Sequence, residues 1–113
     1  MELEMIDLGG ASKIRLEGRL DTPGVGQIET RFTASVVAPG RNALVDLTQV
    51  TFVSSMGIRM LLATARGLGL KKAKMVLFGA QPLVKESLDN VCLPDLIPLA
   101  DDEGAALALL QPA

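Results

Sequence analysis

Two adjacent serines, Ser54 and Ser55, lie where the sequence pattern changes from a strand to a helix. The preceding "TFV" (51–53) is typical of the end of a buried strand, and helical periodicity begins at Met56. A hydroxyl at a helix N-terminus can cap the first-turn N–H groups, and it stands where those groups and the helix dipole would hold a phosphate. The joint therefore predicts that one serine caps the helix, and it makes serine phosphorylation the candidate chemistry.

The composition argues against chemistry performed by this chain alone. Its 113 residues include no His, Tyr or Trp, one Cys and three Phe. Histidine is the usual general base near neutral pH and the commonest metal ligand, and aromatic rings provide the stacking platforms for nucleic acid bases. The formal net charge of −2 gives no general attraction to nucleic acid. We therefore predict no catalytic residue, cofactor, metal site or nucleic-acid partner, and we expect that the protein is not an enzyme.

Length and hydropathy predict one domain spanning residues 1–113. No apolar run approaches the ~18 residues that a membrane span needs, and the acidic, alternating "MELEMIDL" does not resemble a signal peptide. The single cysteine, Cys92, fits a reducing compartment and is expected to be a small buried residue. These features predict a cytoplasmic protein without membrane insertion.

The elements that must position the serines alternate along the chain in the order β-β-α-β-α-β-α-(β)-α. Residues 3–9 and 12–18 alternate apolar and polar residues and predict a hairpin. The first helix is expected to have Thr22 as N-cap and Pro23 as its first residue, with an inward stripe of Val25, Ile28, Phe32 and Val36. The third helix is expected to direct Val84, Leu88 and Val91 inward. This order predicts an α/β fold, with a mixed sheet of four or five strands and about four helices packed on it.

In such sheets, sites form at the carboxyl ends of the parallel strands. Three loops are expected there, at 21–24, 54–57 and 79–82. Asp21, in the first of them, is interpreted either as a turn residue that helps to cap the first helix or as a partner contact. Asp46, within the central strand, is interpreted as structural.

Three segments together resemble the STAS domains of anti-sigma factor antagonists: "GRLDT" (18–22), "LVDLTQVTFVSSMGIRMLL" (44–62) and "KMVLFGAQPLVKESLDNVCLPDLIPLADDEGAALALL" (74–110). The most specific part is the block apolar-Asp-Leu-x-x-Val-x-Phe-apolar-x-Ser-x-Gly. The resemblance implies a STAS fold in a bacterial protein that binds an anti-sigma factor serine kinase and frees the sigma factor. It also implies that the kinase phosphorylates Ser55 and that a PP2C-type phosphatase removes the phosphate.

The residues around the implied acceptor depart from the family pattern. Ser54 stands where the family usually has Asp, Met56 where it usually has Ser or Thr, and Arg59 where a small residue is frequent. These departures favour an alternative function, a STAS subunit of a larger signalling scaffold or lipid-transport assembly that is not switched. Phosphate incorporation by a cognate kinase would distinguish the two functions.

A helical wheel drawn with Ile58 pointing inward places Met56, Met60, Ala63 and Gly67 on the opposite side, flanked by Arg59. Because adaptable, Met-rich surfaces often mark partner sites, this side is predicted to bind the partner. Burial of the methionines under the last helix or a long loop is the alternative. The predicted partner surface therefore comprises Asp21, Thr22, Ser54, Met56, Gly57, Arg59, Met60 and Ala63. The protein is expected to be a monomer or a weak homodimer.

Overall fold

The computed structural model describes residues 1–110; of the predicted domain, residues 111–113 lie outside the described part. Its helices and strands are β1 (Glu2–Asp7), β2 (Ser12–Leu20), α1 (Thr22–Val37), β3 (Ala43–Val53), α2 (Ser55–Gly69), β4 (Met75–Phe78), α3 (Pro82–Asn90), β5 (Leu99–Ala100) and α4 (Glu103–Leu110). A short 3₁₀ turn at Leu93–Asp95 follows α3. The predicted element order and the α/β fold class are confirmed.

The five strands form one mixed sheet in the order β1-β2-β3-β4-β5. β1 is antiparallel to β2, whereas the remaining neighbours are parallel. The β1–β2 hairpin turns at Gly9, whose φ of +90° favours glycine, and the Gly9 N–H donates to Asp7 Oδ1 at 2.7 Å. Because β2, β3 and β4 run parallel, all three strands end toward the same edge of the sheet, where the predicted loops begin.

Helices cover both faces of this sheet. Alternate residues of β3 point to opposite faces, so Val45 belongs to one hydrophobic cluster and Leu44 to the other. The larger cluster includes side chains of α1, α2 and α3, and the smaller one includes Ala106 and Leu110 of α4. The four predicted α1 stripe residues, Val25, Ile28, Phe32 and Val36, are all buried. These apolar faces hold α1 and α2 beside each other and against the sheet.

Two predicted burials near the end of α3 are wrong. Val84 and Leu88 are buried as predicted, but Val91 is 53% exposed and Cys92 is also exposed. The reason is that α3 ends at Asn90 and Cys92 has a left-handed φ of +56°. The chain reverses direction at Cys92, and Leu93 is buried instead of Val91 and Cys92. A helical stripe cannot be extended past the point where the helix stops.

Within residues 1–110, no helix has both the length and the apolar composition needed to cross a membrane. In the same range, no three His, Cys, Asp or Glu side chains are grouped as metal ligands would be.

Candidate functional site

The loops that follow β2 and β3 leave the sheet side by side. Leu20 pairs with Val53 at the ends of these parallel strands. The Ser54 N–H donates to the Leu20 carbonyl at 2.9 Å, and the Ser54 Oγ donates to the same carbonyl at 3.0 Å. Two hydrogen bonds therefore fix the start of α2 to the end of β2, and they bring Asp21 and the two serines to one edge of the molecule.

Ser54 is the N-cap of α2. Its φ of −98° and ψ of 173° are extended, and its Oγ accepts from the Gly57 N–H at 3.2 Å. The Ser54 hydroxyl thus donates to Leu20 and accepts from Gly57, and the residue is half-buried. The Ser54 hydroxyl therefore stabilises the fold through both hydrogen bonds.

Ser55 differs from its neighbour in every one of these respects. It is the first residue of α2 and is exposed, and its hydroxyl has no hydrogen-bond partner among the described residues. The chain therefore presents one serine hydroxyl held in a cap and one that points into solvent. Of the two, only the Ser55 hydroxyl can react without removing a hydrogen bond that the fold uses.

The start of α2 is electropositive. Gly57 and Ile58 donate their N–H groups to the side chain and the carbonyl of Ser54, so the N–H groups of Ser55 and Met56 remain for an outside acceptor. The first turn of α2 contains no acidic residue. Free N–H groups and the helix dipole stabilise negative charge at this position.

Asp21 is the N-cap of α1, and the prediction that Thr22 caps this helix is wrong. The Asp21 Oδ1 accepts from the Gly24 N–H at 2.9 Å, and Thr22 is already the first residue of the helix, with Pro23 second. A carboxylate at position 21 reaches the N–H three residues on, which leaves no capping role for Thr22. Asp21 also accepts from Arg19 Nε, with 3.2 Å between Oδ2 and Nε. The Gly24 N–H and then Arg19 hold the pKa of Asp21 below its ordinary 3.8.

Replacing Asp21 with Asn is predicted to lower stability at neutral pH and to have less effect in acid. Asn can also cap a helix, so the substitution mainly removes the charge. Because the folded-state pKa is lowered, the ionised carboxylate contributes stability that is present above 3.8 and is lost as the pH falls through the folded-state value. Denaturation of both chains from about pH 7 down to about pH 2 measures the difference. A difference that stays constant over this range would contradict the prediction.

The predicted orientation of α2 is wrong for Met60. This side chain is 2% exposed, whereas Met56 is 38% exposed. The cause is α1, which packs along one flank of α2; a side chain at Gly67 would lie 3.4 Å from Val37 of α1. The exposed stripe, which we call the outer face of α2, instead contains Ser55, Arg59, Ala63 and Arg66. Met60 is therefore part of the core and does not contact a partner directly.

Gly57, a predicted partner residue, is buried for a packing reason. A Cβ atom there would lie 2.7 Å from the Leu20 carbonyl oxygen and 2.8 Å from Leu20 Cγ. The missing side chain allows the first turn of α2 to pack directly on the end of β2. Gly57 thus positions the serines and is itself covered.

A family model for the STAS domain matches residues 2–106. The chain belongs to the STAS domain family. Over 113 residues, all of this chain and 97% of the relative, it is 27% identical to BtrV of Bordetella bronchiseptica, which is named as a candidate anti-sigma factor antagonist.

Solved structures agree with the predicted STAS fold. A candidate anti-sigma factor antagonist from Thermotoga maritima superposes with a TM-score of 0.88 at 9% identity, covering 97% of this chain and 95% of the other. The phosphorylated form of the Bacillus cell-fate determinant SpoIIAA gives a TM-score of 0.70 at 18% identity, covering 97% and 100%. The five-stranded sheet and four helices are thus those of a STAS domain.

In this STAS domain, the third predicted loop lies apart from the serines. Gln81 at its helix start donates Nε2 to the Thr48 carbonyl at 2.9 Å. Thr48 lies in β3, six residues before Ser54. The site therefore joins two of the three predicted loops.

One feature of the same edge, a contact between Arg19 and Phe52, has no signal in the sequence. The Arg19 guanidinium carbon lies 4.4 Å from the centroid of the Phe52 ring, and Phe52 is 39% exposed. The two residues pair because the β2–β3 register shifts between Gly18 and Arg19. Such an irregularity follows from the packed sheet and is not visible in the alternating pattern of either strand.

Proposed function

We propose that this protein is a bacterial, cytoplasmic anti-sigma factor antagonist that regulates transcription by partner switching. In its unmodified form it binds an anti-sigma factor serine kinase and so releases the sigma factor. Phosphorylation of Ser55 switches binding off, and a PP2C-type phosphatase restores it. Membership of the STAS family and similarity to BtrV support the general role.

The assignment of Ser55 as the phosphorylated residue rests on the contrast between the two serines. The Ser54 hydroxyl caps α2 and donates to Leu20, whereas the exposed Ser55 hydroxyl has no partner in the described chain. Modification of Ser54 would remove the cap, and modification of Ser55 leaves every described hydrogen bond in place. The likeness to the phosphorylated form of SpoIIAA is consistent with a fold that tolerates phosphate.

In the proposed reaction, the kinase supplies ATP and the catalytic groups. The Ser55 Oγ attacks the γ-phosphorus, the new Oγ–P bond forms, the bond from phosphorus to the β,γ-bridging oxygen breaks, and ADP leaves. A base on the kinase accepts the hydroxyl proton. The phosphatase reverses the state by hydrolysis: water attacks phosphorus, the P–Oγ bond breaks, inorganic phosphate leaves, and the serine oxygen regains a proton.

The effect on binding is electrostatic. The partner surface consists of half-buried Asp21 and the exposed residues around the acceptor: Thr22, Ser55, Met56, Arg59 and Ala63. Phosphate adds about −1.5 to −2 charges at neutral pH, and burying that charge in an interface is costly. Because the first turn of α2 is already capped, the modification changes the surface without refolding the domain.

Phosphate transfer from an anti-sigma factor kinase of the same organism tests the proposal. The wild-type chain is expected to take up one phosphate at Ser55, located by mass spectrometry, and Ser55→Ala none while it still binds the kinase. Ser54→Ala is expected to be phosphorylated at Ser55 but to lose about 1 kcal/mol of stability with its cap. Phosphate located at Ser54 or Thr51 would refute the assignment. Binding without any incorporation would support the alternative, a STAS subunit that is not switched.

A further inference from the structure

Arg59 lies one helical turn beyond Ser55 on the outer face of α2. Both residues are exposed, and α2 is continuous from Ser55 to Gly69. Side chains four residues apart on a helix are neighbours, with Cβ atoms about 5–6 Å apart. An acidic group placed before a basic one at this spacing is the more favourable order, because it also matches the helix dipole.

The Arg59 guanidinium is not engaged by another charged group of residues 1–110. It takes part in none of the ion pairs found in this range. Asp21, the carboxylate of the neighbouring loop, is bound to the Gly24 N–H and to Arg19. Arg59 is therefore available to an anion that appears on its own helix.

We propose that Arg59 is the internal counter-ion of phosphorylated Ser55. The inference rests on the proposed function, since it supplies the partner of the phosphate at the proposed acceptor. A guanidinium presents a planar fork of N–H donors that matches phosphate oxygens. The free N–H groups of Ser55 and Met56 lie at the same helix end, so the phosphate is held from two directions.

This pairing makes one modification act twice on the partner surface. Before phosphorylation, the outer face of α2 presents the Arg59 positive charge to the partner. After phosphorylation, the phosphate occupies Arg59 and adds its own negative charge beside it. The charge that this face presents to the partner therefore changes from positive to negative.

The test uses chains that carry genetically encoded phosphoserine at position 55, so no kinase is needed. The phosphate is titrated by phosphorus NMR in the otherwise wild-type chain and with Arg59→Gln, Arg59→Lys or Arg66→Gln. Arg66→Gln is the matched control: it removes the same charge from the same exposed face, seven residues further along α2, about 10 Å away. Thermal melting of each chain verifies that it is folded.

We expect Arg59→Gln to raise the second pKa of the phosphate by about 0.2–0.7 units relative to the wild type. Arg59→Lys is expected to raise this pKa by less, because a cation remains at position 59, and Arg66→Gln is expected to leave it close to the wild-type value. The shift should shrink in about 1 M salt, because the pair is exposed. Equal titration of the Arg59→Gln and wild-type chains would overturn the proposal. Kinase inactivity toward Ser55 together with an intact titration shift would instead refute only the proposed function.

Discussion

Met60→Asp is expected to lower the free energy of unfolding by about 3–5 kcal/mol, because it places an unpaired charge in the core. Met60 is 2% exposed and belongs to the main hydrophobic cluster. For a domain with a typical total stability of about 5–15 kcal/mol, such a loss lowers the melting temperature by more than about ten degrees. Thermal melting followed by circular dichroism is the measurement.

Met56→Asp is the matched control, since it introduces the same charge four residues earlier on the same helix. Met56 is 38% exposed and lies next to Ser55. The stability of the Met56→Asp variant is expected to stay within about 0.5 kcal/mol of the wild type, whereas its binding to the proposed kinase partner is expected to fall at least tenfold. Equal melting of the Met60 and Met56 variants would contradict the burial assigned to Met60. Unchanged binding by Met56→Asp would remove Met56 from the partner surface.

The sequence predicted the elements well because their patterns are decided locally. The α1 stripe has a helical period and a glycine and proline near its start, and every stripe residue is buried. The parenthesised strand of the predicted order is present as β5, which lies at the edge of the sheet at Leu99–Ala100, directly after Pro98. In both cases, the residues that form the element also carry the signal.

The rotation of α2 could not be predicted in the same way. Apolar and small residues occur around much of this helix, so its sequence is also compatible with a wheel centred on Ile58. In the structure, the buried face of α2 contains Met60 and Thr64, whereas Ile58 is only half-buried. The difference comes from α1, a neighbour whose position along the flank of α2 depends on the whole sheet. A single helix sequence does not contain that information.

The assignment of roles to the two serines also needed the structure. Both residues are serines and are equally suited to cap a helix, and the sequence predicted only that one of them does so. The choice depends on the end of β2, because the Ser54 hydroxyl and N–H both bind the Leu20 carbonyl. This contact joins residues that lie 34 positions apart in the sequence. The family resemblance pointed to Ser55, and the cap supplies a physical reason for that choice.

The same contact makes Gly57 sensitive to substitution. In Gly57→Ala, the new methyl group would lie 2.7 Å from the Leu20 carbonyl oxygen, which already accepts two hydrogen bonds from Ser54. Leu20 is fully buried and cannot move aside freely. The start of α2 must therefore shift, at a cost of about 1–3 kcal/mol that exceeds the roughly 0.5–1 kcal/mol gained from replacing a helical glycine.

Gly69→Ala, at the other end of α2, separates the two contributions. A Cβ atom at Gly69 meets nothing within 4 Å, so this variant is expected to gain up to about 1 kcal/mol in urea unfolding while Gly57→Ala loses stability. Gly57→Ala is also expected to slow phosphate transfer to Ser55, because the shift moves the acceptor relative to the Asp21 loop. Gly69→Ala should be phosphorylated at the wild-type rate. If both alanine variants were equally stabilised and equally good substrates, the close packing of α2 on Leu20 would not be what positions Ser55.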